Sequence, residues 1–336
     1  MTGAAAAAGL VDLHAHFVPP WYVELAREHG HDTPDGMPAW PSWDAGTHLA
    51  FMDQRGIDRA LLSLSSPGVA LGPGVDAAAL ARRVNEHGAE LARARPDRFG
   101  LLAALPLPDV DAALAELDHA LDVLDADGVV LPTHAAGTYL TDPGHEPLWS
   151  ALARRECVVL LHPTAPVGSQ ATGLGLPLPM MEFLFDTTRV VLGLALAGTL
   201  SRHPGLRLVV PHSGSLVPLL VDRAALFQLA GRLALPPDVR DRAGPAVPEA
   251  LGDLWWDLAG TPTATHVGAL VERFGTERLV YGSDFCFTPP AAVDLQLGLL
   301  DQVWAGLDVH EPWRALTRSN AERLIRRPTR PRGTNS

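Results

Sequence analysis

Short runs of aliphatic and β-branched residues alternate along the chain with longer stretches whose apolar positions recur at helical spacing. Eight such runs stand out: VDLHAHF (11–17), RALLSLS (59–65), RFGLLAALP (98–106), GVVLP (128–132), CVVLLHP (157–163), LRLVVPHSG (206–214), LWWDLA (254–259) and RLVYGSDF (278–285). Between them lie amphipathic stretches such as AAALARRVNEHGAELARARP (77–96) and DVDAALAELDHALDVLDA (109–126). Such alternation implies parallel strands joined by right-handed helical crossovers. Eight strands in 336 residues match a (β/α)8 TIM barrel, with a doubly wound open sheet as the alternative. No Gly-x-Gly-x-x-Gly turn and no Gly-Lys-Ser/Thr loop follows a strand, so the nucleotide-binding signatures of open sheets are missing and the barrel is favoured. Residues 11–326 form one domain in this reading, between a flexible N-terminus (1–10) and a basic tail (327–336). The segment EHGHDTPDGMPAWPSWDAG (28–46), rich in Pro, Gly and Trp, is an insertion after the first strand, expected to cover the catalytic face.

Composition narrows the chemistry. The chain is 47% hydrophobic with a net charge of -12 and no long acidic block, the profile of a soluble globular protein without nucleic acid or an anionic membrane as partner. MTGAAAAAGL lacks a basic region and is too short in apolar residues to read as a signal peptide. The run VVLGLALAGTL (190–200) falls short of membrane-spanning length and reads as a buried helix, a candidate for a subunit interface. Cys157 and Cys286 are the only cysteines and form no C-x-x-C pair, which fits a reducing cytoplasm. All 26 basic residues are arginine. The absence of lysine excludes Schiff-base chemistry, a covalently bound pyridoxal cofactor and a dinuclear site bridged by carboxylated lysine.

Two histidines end the first run. In an extended strand His14 and His16 point to the same face, either as half of a metal site or as a pair of hydrogen-bonded strand-end imidazoles. In a barrel, reactive residues come from the C-terminal ends of strands. Those ends also hold His162 on the fifth strand, His212 on the sixth and Asp284 on the eighth. The histidines at 29, 31, 48, 87, 119, 203, 266 and 310 lie in helical patterns, at helix ends or around the insertion, and read as surface or packing residues. His134, two residues past the fourth strand, reads either as a loop histidine or as part of the site wall.

Taken in order, HAHFVPPWY, LSLSSPGV, RFGLLAALPLPD, LLHPT, EFLFDTTR, HPGLRLVVPHSGSLVP, YGSDF and SNAERL resemble the amidohydrolase superfamily. Within it they are similar to the branch that holds aminocarboxymuconate semialdehyde decarboxylase, and most like the 6-methylsalicylate decarboxylase type. The resemblance runs from about residue 10 to 325. It implies that His14, His16, His162 and Asp284 bind one divalent metal, Zn2+ first and Mn2+ second, and that His212 is not a ligand but a general acid/base or a histidine hydrogen-bonded beneath the metal. The implied reaction is non-oxidative decarboxylation of a salicylate-like hydroxyaryl acid with release of CO2, His212 and Asp284 being the candidates to deliver the proton. A metal-dependent hydrolase of a lactone or amide would use the same constellation, and a barrel that only binds a ligand would be expected to have lost part of it.

The resemblance also bears on substrate and assembly. Arg223 matches an arginine that in relatives reaches a neighbouring subunit's site, which implies a homodimer; an arginine paired on a helix surface is the alternative. Phe17, Trp21, Thr164, Phe287 and His134 are the candidate substrate contacts, the aromatic ones serving equally well as core. Phe285 is set aside, because strand alternation points it away from Asp284. Three departures from the muconate enzymes matter. Residues 28–54 contain no arginine to grip a second carboxylate, Thr164 stands where those enzymes have Trp, and Ser215 replaces a glycine in His-Ser-Gly-Ser.

Overall fold

Each of the eight apolar runs becomes a strand. The computed structural model describes residues 9–234, 245–260 and 262–326. In chain order the strands are β1 (Leu10–His16), β2 (Ile57–Ser63), β3 (Phe99–Ala104), β4 (Gly128–Pro132), β5 (His134–Ala135), β6 (Thr138–Tyr139), β7 (Val158–His162), β8 (Arg207–Val210), β9 (Trp255–Asp257) and β10 (Leu279–Val280). β5 and β6 form a small antiparallel hairpin that the hydropathy pattern did not predict; the other eight pair in parallel, in sequence order. These strands read as near-continuous apolar runs because both faces of a barrel wall are buried. Every residue of β1, β3 and β7 is buried.

The last strand is shorter than the expected 278–285. Regular pairing stops at Val280, and contact with β1 continues through bridges at Asp12 with Tyr281 and Ala15 with Phe285. The Asp284 N–H donates to the His14 carbonyl at 2.8 Å, so the sheet closes into the (β/α)8 barrel. Two residues explain the departure from strand geometry. A Cβ on Gly282 would lie 2.7 Å from the His14 Cβ, and Asp284 adopts a left-handed φ of 57°.

Four of the surrounding helices start where a short acidic or hydroxyl side chain caps them. Asp44 caps Ala45–Arg55, Asp76 caps Ala77–Ala94, Asp109 caps Val110–Asp122 and Thr263 caps Ala264–Phe274. The helix expected around 190–200 runs from Glu182 to Leu196 and is broken at Gly198, which takes a φ of 73°. Residues 1–8 and 327–336, which contain most of the expected flexible N-terminus and all of the basic tail, lie outside the described residues; Leu10 already belongs to β1. Among the described residues no helix is long and apolar enough to cross a membrane.

His48, read from the sequence as a packing residue, is one. It is buried on Ala45–Arg55 against Phe99 and Phe285, and the latter stacks on Phe51 at 3.9 Å. The Trp43 indole N–H donates to His48 Nδ1 at 3.0 Å, which leaves the proton on Nε2, where it has no partner. Burial, with His16 and Arg98 nearby, pushes its pKa down to about 3. Below its unfolded pKa of about 6.5 the unfolded chain takes up a proton that the folded chain refuses, so this residue costs about 1.4 kcal/mol of stability per pH unit as pH falls toward 3. The Tm difference between wild type and His48→Asn should therefore narrow between pH 7 and pH 5; a constant difference in calorimetry would contradict this.

Candidate metal centre

The C-terminal ends of β1 and β7, with the turn after β10, bring His14, His16, His162 and Asp284 together. One donor atom from each lies within 4.8 Å of all the others. His14 Nε2 and His16 Nε2 are 3.1 Å apart, and Asp284 Oδ1 stands 3.6 and 3.2 Å from them. The opposite ring nitrogens are all occupied. His14 Nδ1 donates to Asp257 Oδ2 at 2.7 Å, His16 Nδ1 faces the Ser63 carbonyl and hydroxyl at 3.3 and 3.0 Å, and His162 Nδ1 meets the Pro163 carbonyl at 2.7 Å. Each imidazole is thereby fixed with its Nε2 turned inward.

Converging donor atoms fit a cation better than they fit one another. Burial holds the pKa of His16 down and drives that of His162 well below its usual value, so both are neutral donors. Burial would raise the pKa of Asp284, but the imidazoles of His16, His212 and His14 close around its carboxylate and hold it well below the carboxylate range. For His14, burial opposes the added charge; the Asp257 carboxylate outweighs it and lifts the pKa to about 9. Positive charge at this ring is what a cation on Nε2 would also bring. Three imidazoles and one carboxylate form a ligand set for a single divalent metal.

His212 stands outside this cluster. Its Nε2 is 3.8 Å from Asp284 Oδ2, its backbone N–H donates to Asp257 Oδ1 at 2.8 Å, and its buried Nδ1 has no partner. Residues 212–215 all take left-handed φ values, between 54° and 74°. Ser215 adopts that conformation without being glycine, with its hydroxyl donating to the Pro211 carbonyl at 3.3 Å.

Two cavities, of about 410 and 380 Å3, meet at this centre and share Asp35, Ser65 and His162 on their walls. Thr164 and His134 line the first; His212, Asp284 and Phe287 line the second. Phe287 sets its edge against the His16 ring at 5.6 Å. Asp35 and Met37 bring the Pro/Trp-rich insertion over the centre as the expected cover.

Two expected substrate contacts are not brought here. Phe17 follows His16 directly, so alternation turns it outward against Trp43 and His87, fully buried. Trp21, on the helix Pro20–Glu28, lies under the Arg83 guanidinium and beside His87. Arg223 sits exposed on the helix Val217–Leu233, stacked on Phe227 at 5.1 Å, and lines neither cavity of its own chain.

The sequence reading passed over Asp257 and Asp35. Asp257, the last residue of β9, accepts from His14 Nδ1, the His212 N–H and the Ala259 N–H. A carboxylate ending the apolar run LWWD was the available signal. Asp35 hides in a Pro/Gly-rich stretch, where no periodicity points to a face.

Fold and site together define a (β/α)8 barrel with a three-histidine, one-aspartate cluster suited to a divalent metal at its C-terminal strand ends. Residues 11–327 match the Amidohydrolase family model, and the chain belongs to that family. It is 33% identical to a 6-methylsalicylic acid decarboxylase of Penicillium expansum over 84% of this chain and 86% of that protein. It is also 33% identical to the decarboxylase yanB of Aspergillus niger, over 94% and 87%. The crystal structure of 2,6-dihydroxybenzoate decarboxylase from Rhizobium superposes with a TM-score of 0.79 at 25% identity, covering 94% of this chain and 98% of that one.

If Asp257 holds His14 in its ligating tautomer, Asp257→Asn should weaken divalent metal binding by about 10- to 100-fold in a competitive chelator titration. Unchanged affinity in a folded variant would contradict that role.

Proposed function

We propose that this protein is a metal-dependent, non-oxidative decarboxylase of a salicylate-like hydroxyaryl carboxylic acid, of the 6-methylsalicylate type, acting in the cytoplasm. The observation that carries this reading is the three-histidine, one-aspartate cluster with His212 beside it, both facing cavities of aryl-acid size. The decarboxylase names of its relatives support the same reading.

His14, His16, His162 and Asp284 would hold a divalent metal, zinc first and manganese second, which would supply Lewis-acid polarisation of the substrate. The remaining work falls to the chain. Phe287, Thr164 and His134 bound the space for the ring, and apolar wall residues such as Leu105 and Val130 exclude water. The reaction needs one proton at the ring carbon that bears the carboxylate. A C–H bond forms there at the expense of aromaticity; the C–C bond then breaks, its electron pair returns to the ring and CO2 leaves. His212 Nε2 and Asp284 Oδ2, 3.8 Å apart, form the pair that holds and delivers this proton.

A homodimer fits the surface beside this site. Leu226, Phe227, Leu229 and Leu233 are exposed on the helix that carries Arg223, an apolar strip that a second copy would cover while Arg223 approaches its neighbour's cavity.

The metal-loaded protein should release CO2 from 2-hydroxybenzoates, including 6-methylsalicylate; hydrolysis of a lactone or amide panel with no CO2 from any aryl acid would overturn the assignment. His212→Asn and Asp284→Asn should each lower turnover by about a hundredfold or more. Metal content should fall only in Asp284→Asn, and equal metal loss in both would undo the division of roles.

A further inference from the structure

Asp35 has a setting that the chemistry above does not use. It lies on the covering insertion, in the short turn Pro34–Gly36, with a left-handed φ of 50°. Its carboxylate is enclosed by protein, yet the side chain stays partly accessible because it borders both cavities next to His162. Oδ1 accepts from the Ser66 hydroxyl at 3.0 Å, and Ser66 is in turn bonded to the Thr164 hydroxyl at 2.8 Å. Since Ser66 spends its only proton on Asp35, Thr164 must donate to Ser66, and the hydroxyl chain ends on the carboxylate as acceptor.

The charge balance of the walls is equally specific. Among the described residues no arginine lines either cavity, and the chain has no lysine. Burial pushes the Asp35 carboxyl up to about 6, while Ser66, Ala165, His31 and His134 favour its ionised form, so above neutral pH it is an anion. On the same wall, His134 donates from Nε2 to the Ala165 carbonyl at 2.8 Å, and its buried Nδ1 is an acceptor without a partner. This end of the cavity therefore offers the Asp35 carboxylate to a hydrogen-bond donor and, from the described residues of its own chain, no arginine or lysine to an anion.

We infer that Asp35 determines substrate specificity: its carboxylate accepts a hydrogen bond from a second hydroxyl on the substrate ring and turns away rings that carry a second carboxylate. This rests on the aryl-acid reading of the site above. Hydrogen bonds to an ionised acceptor are the stronger kind, and a second carboxylate placed against Asp35 in a low-dielectric cavity is repelled by it.

The test is calorimetric binding to the metal-loaded protein at pH 8, which requires no turnover. Salicylate, the 2,3-, 2,4-, 2,5- and 2,6-dihydroxybenzoates and 4-hydroxyisophthalate would be compared on wild type and Asp35→Asn, with CO2 release followed in parallel. At least one dihydroxybenzoate should bind wild type about tenfold or more tightly than salicylate, and that ratio should collapse in Asp35→Asn. The variant should also gain about tenfold in affinity for 4-hydroxyisophthalate relative to salicylate, since an amide donates where the carboxylate repelled. Asp35→Ala provides a second variant should the amide disturb the Ser66 contact; it too should lose the hydroxyl preference. Ratios unchanged in both variants would overturn the inference. Shifted ratios without CO2 from any ligand would uphold Asp35 and overturn the decarboxylase reading instead.

Discussion

Closure of the barrel between its first and last strands is the constraint on which the metal centre depends. Three of the four ligands sit on this seam: His14 and His16 on β1, and Asp284 on the segment bonded to the His14 carbonyl. The Asp12 carboxylate reinforces it by accepting from the N–H groups of His14 and Ser283 at 3.1 and 3.0 Å. Asp257 extends the link to β8 and β9 by holding the His14 ring and the His212 backbone with one carboxylate. A slip at the seam would separate the donors, since a one-residue shift turns a strand's side chains to the opposite face.

Burial and charge are divided across the site. Deep in the barrel, the neutral imidazoles of His16 and His162, the His14 ring paired with Asp257 and an ionised Asp284 are held together because every outward-facing nitrogen of the ligands meets a carbonyl, hydroxyl or carboxylate. Above them the insertion contributes Asp35 and Met37, and β4 with its following hairpin contributes Val130, Pro132 and His134. One element supplies ligands and another shapes the space they face, the usual separation of rigid barrel and variable loops.

Much of this was legible in the sequence because periodicity and strand ends carry it. A period of two placed His14 and His16 on one face, correctly turned Phe285 away, and should have turned Phe17 away as well: the residue beside a ligand on a strand points to the other side. Thr164, Phe287 and His134 do reach the cavities, whereas Trp21 is spent on packing under Arg83. Asp257 was hidden inside a core run, where only contact with His14 reveals its use. Asp35 and the β5–β6 hairpin belong to segments without a regular repeat, whose position is set by what they pack against and by left-handed residues such as Asp35 and Ala136. The early end of β10 follows from a local close approach at Gly282, which no pattern along the chain records.

The central claim is that one metal ion, held at the seam by four side chains, supports the chemistry of this chain. Titrating the chelated protein with a divalent metal while following CO2 release from the best aryl acid tests it most directly. Activity should rise linearly and break at one ion per chain. Full turnover in the chelated protein, or a break at two ions, would contradict the account.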